Sequence, residues 1–417
     1  MNASVVVIGA GIVGAASALE LLRAGFSVTI VDPGPAGGEQ AASYGNGAWL
    51  SPGSVVPVSM PGLWKKVPGY IADPHGPLTI RPASLPGLTP WLLRFLHAGW
   101  NVARVEKTAR ALGPLLRAAP LLHAALAREA GVPHLIRQEG LLAAYPDREA
   151  FIADALGWRL RRDNRISWRE FEGDAFSDLE PALSRRYRFG ALIEDGGHCI
   201  NPGAYVAALV KHACVQGASL VSATAIDFEA SGGRLAALIT DKGRISCAHA
   251  VIAAGIASLG LAKRAGNRVS MTSERGYHVM VESTGTPLRF PVIPSDGKMA
   301  LTQLETGLRI SGQVELASMD TPPNWRRADI LLEFARSILP GLPQSGDIPH
   351  RRWMGNRPST PDGLPVISNA ALSGVFHAYG HGHVGLAAGA MTGKLVAELV
   401  SGRETSFDIS PFSATRF

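Results

Sequence analysis

Residues 4–32 read SVVVIGAGIVGAASALELLRAGFSVTIVD, and this stretch constrains the fold more than any other. Ser4–Ile8 is a continuous, mostly β-branched run suited to a strand covered on both faces. Gly9, Gly11 and Gly14 follow, with Val13, Ala16, Leu19 and Leu22 at helical spacing up to a stop at Gly25. Ser27–Val31 is a second buried strand, closed by Asp32. Gly9 permits a tight turn, Gly11 lets the backbone approach a pyrophosphate, and Gly14 lets helix and strand pack closely. The first helical N–H groups, at Ile12, Val13 and Gly14, lack intrahelical acceptors and sit at the positive end of the helix dipole, where phosphate binds. Asp32, eighteen residues after Gly14, is placed to accept hydrogen bonds from ribose hydroxyls. The glycines alone are a weak signal. Between strand, helix, strand and acid they predict a dinucleotide site, without distinguishing NAD from FAD.

The chain has 417 residues, enough for two domains, and 46% hydrophobic residues, enough for each to bury a core. A formal charge of +6 is spread along the chain with no Lys/Arg run or zinc-finger spacing, which argues against nucleic acid as a partner. Cys199, Cys214 and Cys247 are odd in number and fit neither a redox pair nor a metal site, so they read as reduced thiols in a cytoplasmic protein and no metal is expected. The apolar start lacks a basic leader and a cleavage site, and no uninterrupted apolar stretch of about twenty residues occurs, so neither secretion nor a membrane span is expected.

After Asp32 the sequence turns loop-like, PGPAGGEQAASYGNGAWLSPGSVVPVSMPG, where an NAD dehydrogenase would more often continue through regular βα units. Tyr44, Trp49, Val55 and Val56 within it predict an ordered, buried loop. Helix is expected over 88–130, 201–217 and 324–340, and strands over 218–255 and 268–315. Residues 250–258, AVIAAGIAS, form an apolar strand whose small-residue end, with Gly255, suits close approach to a nucleotide or simply tight packing.

Four separated segments then resemble one family. They are the opening βαβ; SYGNGAWLSPG with GPLTIRP downstream; RGYHVMV; and WMGNRPSTPDGLPVI followed by GHGHVGLAAGAMTGKLVAELV. In this order they resemble the D-amino-acid oxidase/glycine oxidase superfamily of FAD-dependent amine oxidoreductases, and within it the bacterial D-amino acid dehydrogenases, nearly end to end. The resemblance implies an α/β fold: a discontinuous Rossmann-type FAD-binding domain from 1–60, 194–263 and 351–417, and an α+β substrate domain with a mixed or antiparallel sheet from 61–193 and 264–350. It places Ser43, Asn46 and Gly47 beside the flavin. Gly380, Gly382, His383, Val384 and Gly385 would begin a helix aimed at the flavin edge where charge collects on reduction.

The resemblance also gives Arg357 a role. A guanidinium matches a carboxylate bidentately and keeps its charge, and the family's R-P-x-T-P-D-G arginine clamps the substrate α-carboxylate. A structural ion pair is the other reading. Tyr277 matches the family's G-Y element and is expected to line the site and hydrogen-bond that carboxylate. His278 falls on the opposite side of the strand and reads as structural, while His381 and His383 read as loop histidines or proton carriers. The implied reaction is hydride transfer from the Cα of a D-amino acid to non-covalent FAD, giving a 2-oxo acid and ammonia, with electrons passed to a quinone or another carrier. Cyclic D-imino acids as substrates, oxygen as acceptor, and a flavin-binding protein without turnover are the alternatives. Segment 55–70, VVPVSMPGLWKKVPGY, has the makeup of an amphipathic loop at the inner face of a membrane, or of a cover over the site.

Overall fold

The structure is a computed structural model that describes residues 3–282, 285–344, 346 and 348–417. The elements that position the site are, in chain order, β1 (Ser4–Ile8), α1 (Ile12–Arg23), β2 (Ser27–Val31), α2 (Leu63–Ala72), β3 (Leu78–Ile80), α3 (Leu85–Ala98), β4 (Ser219–Val221), β5 (His249–Ile252), β6 (Thr272–Val281), β7 (Gly307–Leu316), β8 (His350–Ser359), β9 (Val366–Asn369), β10 (Val375–Tyr379) and α4 (Gly385–Val400).

A six-stranded sheet runs in the order β4-β2-β1-β5-β10-β9. Its first five strands are parallel and β9 is antiparallel at the edge. β1 lies at the centre, which is why its residues are apolar on both faces: Val5 and Val7 face one core, Val6 and Ile8 another. Each such side chain contributes roughly 1.5–3 kcal/mol by leaving water. Helices α1 and α4 cross closely because α4 offers glycine at the contact. A Cβ on Gly389 would lie 2.8 Å from Ile12 Cγ1, and one on Gly393 2.6 Å from the Ala16 backbone. This crossing brings the N-termini of both helices to the same edge of the sheet.

A larger mixed sheet runs β8-β6-β7 and on through Met299–Leu304, Val292–Pro294, Leu141–Tyr145, Phe189–Ile193 and Arg169–Glu172, with β3 pairing in parallel to the end of β7. The expected α/β fold with a mixed second sheet is therefore present. β8 begins at His350 and belongs to this second sheet, so the first residues of the segment expected to return to the nucleotide-binding half at 351 lie in the other sheet. In 55–70 the structure has a helix from Leu63 where a loop was expected: Gly62, left-handed at φ 82°, starts α2, and none of its residues is buried. Among the described residues, sixteen large apolar side chains are exposed, and seven of them (Val58, Trp64, Ile71, Leu85, Leu93, Trp100 and Val102) fall between 58 and 102. No helix among the described residues is long and apolar enough to cross a membrane.

Candidate active site

A cavity of about 1200 Å³ runs along the interface of the two sheets, from Gly9 and Asp32 past Ser43–Gly47 to Arg357 and Gly380–Gly385. At its first end the glycine logic is visible. Gly9, at φ 113°, sits where a Cβ would be 2.4 Å from the Ala253 carbonyl oxygen, and a Cβ on Gly14 would be 1.8 Å from the Gly9 oxygen. Gly14 is thus a packing residue and does not line the cavity, whereas Gly9, Gly11, Ile12 and Val13 do. Asp32 accepts the Ala10 N–H at 2.7 Å on one oxygen and the Gly34 N–H at 2.8 Å on the other. Those bonds fix its carboxylate at the cavity wall with lone pairs to spare. Ser43 Oγ accepts the Ile12 N–H at 3.1 Å, tying the long loop to the helix start.

The loop after Ser43 is held from the second sheet. Arg309 on β7 donates through Nη1 to the carbonyls of Tyr44 and Asn46, both at 2.8 Å. Burial lowers its pKa to about 10, and the two carbonyls solvate a charge that no carboxylate among the described residues neutralises. Asn46 Oδ1 accepts the Ala48 N–H at 2.8 Å, and the Gly47 carbonyl accepts the Thr302 hydroxyl at 2.8 Å. Ser43, Asn46 and Gly47 all line the cavity, as do Gly255 and, at the α4 end, Gly380, Gly382, His383, Val384 and Gly385.

Arg357 is set by strand pairing. In the β6–β8 ladder Glu274 lies opposite Arg357, Gly276 opposite Gly355, and His278 opposite Trp353. Three cross-strand pairs on one face therefore read acid–base, glycine–glycine, histidine–tryptophan. The two glycines leave room for their neighbours. The Arg357 guanidinium lies over Gly276, where a Cβ would be 2.2 Å from Cζ, and the Trp353 ring lies over Gly355, where a Cβ would be 1.9 Å from the ring. Arg357 Nη1 donates to Glu274 Oε1 at 3.3 Å and to the Gln313 carbonyl at 3.2 Å. That carbonyl is available because Gln313 takes φ 59° next to an irregularity in the β6–β7 pairing. Nε and Nη2 have no protein partner among the described residues, and the side chain lines the cavity.

Glu274 was not legible as a site residue, and it connects the others. Its Oε1 also meets His383 Nε2 at 2.6 Å, and its Oε2 accepts the Ser359 hydroxyl at 3.1 Å. Burial pushes this carboxyl upward, but His383, Arg357 and Ser359 outweigh it and hold the pKa at about 2. The only sequence signal was an acid in the strand TSERGYHVMV, where polar neighbours made it inconspicuous.

Tyr277 is not brought to the cavity. Alternation puts Glu274, Gly276 and His278 on the cavity face of β6, so Tyr277 points into the opposite core. Its hydroxyl donates to Glu315 and accepts the Asn324 N–H at 3.0 Å. Burial and Glu315 raise its pKa to about 12. Arg275, on the same face, donates to the carbonyls of Ser318, Met319, Thr321 and Pro322. The pair anchors the loop that carries Met319 to the cavity. His278, opposite Tyr277 as expected, stacks on Trp353 at 5.0 Å and contacts the Gly45 carbonyl at 3.2 Å. Burial lowers its pKa to about 3, which keeps it neutral and structural. His381 meets the Thr392 hydroxyl at 3.0 Å and is likewise held neutral by burial, at about 3.

An FAD suits these residues. Two helix N-termini open on one cavity, an acid is fixed at the nucleotide end, and a Cβ on Gly255 would meet only open space. Gly9, Gly11, Ile12, Val13, Asp32 and Ser43 would hold the ADP half, and Asn46, Gly47 and Gly380–Gly385 the isoalloxazine.

The family profile described as FAD dependent oxidoreductase (DAO) matches residues 4–399. The chain is 51% identical over 417 residues to the D-amino-acid oxidase of Bradyrhizobium diazoefficiens, covering 99% of this chain and 98% of that one. It is 30% identical to the D-amino acid dehydrogenase of Rhizobium johnstonii, covering 99% of each. Among solved structures, glycine oxidase from Geobacillus kaustophilus superposes with a TM-score of 0.75 at 23% identity over all of both chains. L-amino acid deaminase from Proteus vulgaris does so with a TM-score of 0.77 at 17% identity, over 100% of this chain and 97% of that one.

Proposed function

Because the chain belongs to the DAO family of FAD-dependent oxidoreductases, we propose that it oxidises D-amino acids to imines, which water hydrolyses to 2-oxo acids and ammonia. The observation that carries this reading is Arg357: one guanidinium nitrogen is engaged by protein, while the rest of the fork faces a cavity rimmed by Gly380–Gly385. A partly buried, oriented cation of this kind is built for a carboxylate. The names of the relatives at 51% and 30% identity supply the D configuration.

Arg357 holds the α-carboxylate, and its own position is set by Glu274, the Gln313 carbonyl and the floor at Gly276. Leu78, Ile80, Trp91, Phe95, Val314 and Leu316 pack together beside this point and exclude water from the reacting carbon. Bound FAD supplies the hydride acceptor.

For the electron acceptor we favour a lipophilic carrier such as a quinone. The segment from 58 to 102 lines the cavity through Met60, Leu63, Tyr70 and Phe95 and exposes Trp64, Ile71, Leu93 and Trp100 on its outer side. That combination supports docking at the surface of a membrane, with access to the cavity from it. The 51% identical relative, named an oxidase, favours oxygen as the second reading. One experiment separates them: reduction of the purified holoenzyme under argon by D- and L-amino acids, glycine and prolines, then reoxidation by a soluble quinone or by air with peroxide assayed. Bleaching by L-amino acids alone, or by none, would overturn the proposed substrate class.

A further inference from the structure

The site contains a carboxylate–imidazole pair that the reading above leaves without a task. Glu274 Oε1 is shared between Arg357 Nη1 at 3.3 Å and His383 Nε2 at 2.6 Å. One oxygen atom thus joins the cation that would take the substrate carboxylate to an imidazole at the start of α4. An amino acid seated on Arg357 carries its nitrogen one carbon away from that carboxylate, in the cavity that the same imidazole lines. The two partners differ in exposure. The Glu274 side chain is 7% exposed and that of His383 40%, so the acid is inside and the imidazole faces the cavity. With Nε2 donating to the carboxylate, a neutral His383 keeps its lone pair on Nδ1.

The charged and titratable groups packed around His383 are few. Glu274 comes from β6, Arg357 from β8 and His381 from the same loop. Across the adjoining cleft, Arg161 donates to the Gly53 carbonyl at 3.2 Å, and Asp362 is paired with Arg416 at 2.7 Å. His381 is buried against Thr392 and shielded from the cavity's solvent. Of the two loop histidines, only His383 combines exposure with an ionised partner.

We propose that His383, oriented by Glu274, is the base that takes the α-ammonium proton of a substrate held on Arg357. This rests on the amino-acid reading of the site. The step balances as follows. One N–H bond of the ammonium breaks and its proton moves to Nδ1, leaving the nitrogen a lone pair. That pair forms the C=N bond as the Cα hydrogen leaves with its two electrons to the bound cofactor. Glu274 stays ionised and offsets the imidazolium, which then returns its proton to solvent through its exposed edge. Glu274 is a positioning residue in this scheme and His383 a catalytic one.

The test is a pH series of kcat/KM for wild type, H383Q and E274Q with one D-amino acid and a dye acceptor. In H383Q, kcat/KM should fall about 10²- to 10⁴-fold near neutral pH. The deficit should shrink roughly tenfold per pH unit toward the ammonium's own ionisation, because solvent then delivers the neutral amine. In E274Q the acid limb of the profile should move to lower pH. A second readout needs no turnover. In histidine-labelled wild-type holoenzyme, 2-aminoisobutyrate, which has an ammonium and a carboxylate but no Cα hydrogen, should shift one imidazole resonance, the one missing in H383Q. A deficit in H383Q that is independent of pH, or wild-type rates, would overturn the proposal. So would a labelled wild type in which no histidine responds, and this arm stands even where H383Q does not fold. Absence of turnover by the wild type with every amino acid would instead overturn the amino-acid reading, and the dyad with it.

Discussion

Gly276→Ala should disable the site without disturbing the fold. Gly276 is not among the glycines at positive φ, so alanine fits its backbone. Its added Cβ would stand 2.2 Å from Arg357 Cζ and Nη2 and 2.6 Å from Nη1. Non-bonded carbons settle at about 3.5–4.0 Å, so the guanidinium must retreat by roughly 1.3 Å or more. Its bonds to Glu274 and Gln313 are already 3.3 and 3.2 Å long, and a retreat of that size breaks them. Because the obstacle meets the far end of a flexible side chain, the protein can yield there. Overpacking should cost no more than about 1–3 kcal/mol. A reacting group misplaced by about 1 Å can cost on the order of 10²-fold, or about 2.7 kcal/mol of transition-state stabilisation. The assay is dye-linked kcat/KM with a D-amino acid, alongside FAD content and thermal melting. A variant with full FAD and wild-type kcat/KM would show that the guanidinium over Gly276 is not the carboxylate site. Loss of FAD would show that the strand supports the cofactor.

Arg357→Lys should keep FAD but lose about 10- to 100-fold in substrate affinity, since one charge-assisted bond of the bidentate pair worth about 1.5–3 kcal/mol disappears; unchanged kinetics would reduce Arg357 to an ion-pair partner. Acid precipitation should release FAD into the supernatant, and flavin retained in the pellet would contradict non-covalent binding. Five histidines are held neutral by burial, His123, His198 and His377 with pKa about 4 and His278 and His381 about 3. Below about pH 6.5 the unfolded chain binds protons that the folded chain refuses, so Tm from calorimetry should fall steadily from pH 6.5 toward 4; a flat Tm down to pH 5 would refute their burial. Wild type should co-sediment with anionic vesicles and lose that on combined Trp64→Ser, Lys65→Ser and Ile71→Ser substitution; a wild type that never sediments removes the membrane reading.

How much was legible varied with the range of the interaction. The βαβ unit is local: strand, turn and helix depend on residues within about thirty positions, and the structure places Gly9, Gly14 and Asp32 as their spacing required. Arg357 was legible through its motif, yet what holds it was not. Glu274 lies 83 residues away in sequence, and only strand register puts it opposite. Tyr277 and Glu274 illustrate the difficulty. A strand as buried as Thr272–Val281 has apolar or unusual residues on both faces, so burial gives no indication of which parity meets the cavity. The helix in place of a loop at 63–72 has a similar cause: Pro68 and Gly69 argue against helix locally, and the cavity wall it covers lies elsewhere in the chain.

The parity of β6 also explains why this site can combine a cation, an acid and an imidazole without collapsing. Its cavity face carries Glu274, Gly276 and His278, while its other face carries Arg275 and Tyr277, both tied to Glu315. Each face therefore has its own acid, and neither acid serves the other's cations. Glu315, fully buried, takes Arg81 at 2.7 Å and Arg275 at 3.5 Å and so fixes the segments on either side of the cavity mouth. Glu274 is left to Arg357, His383 and the Ser359 hydroxyl. Gln313, whose carbonyl holds Arg357, lies two residues from Glu315 on β7, so substitutions at Glu315 should loosen the seat of Arg357 as well as the mouth and raise KM; an unchanged KM would refute that link.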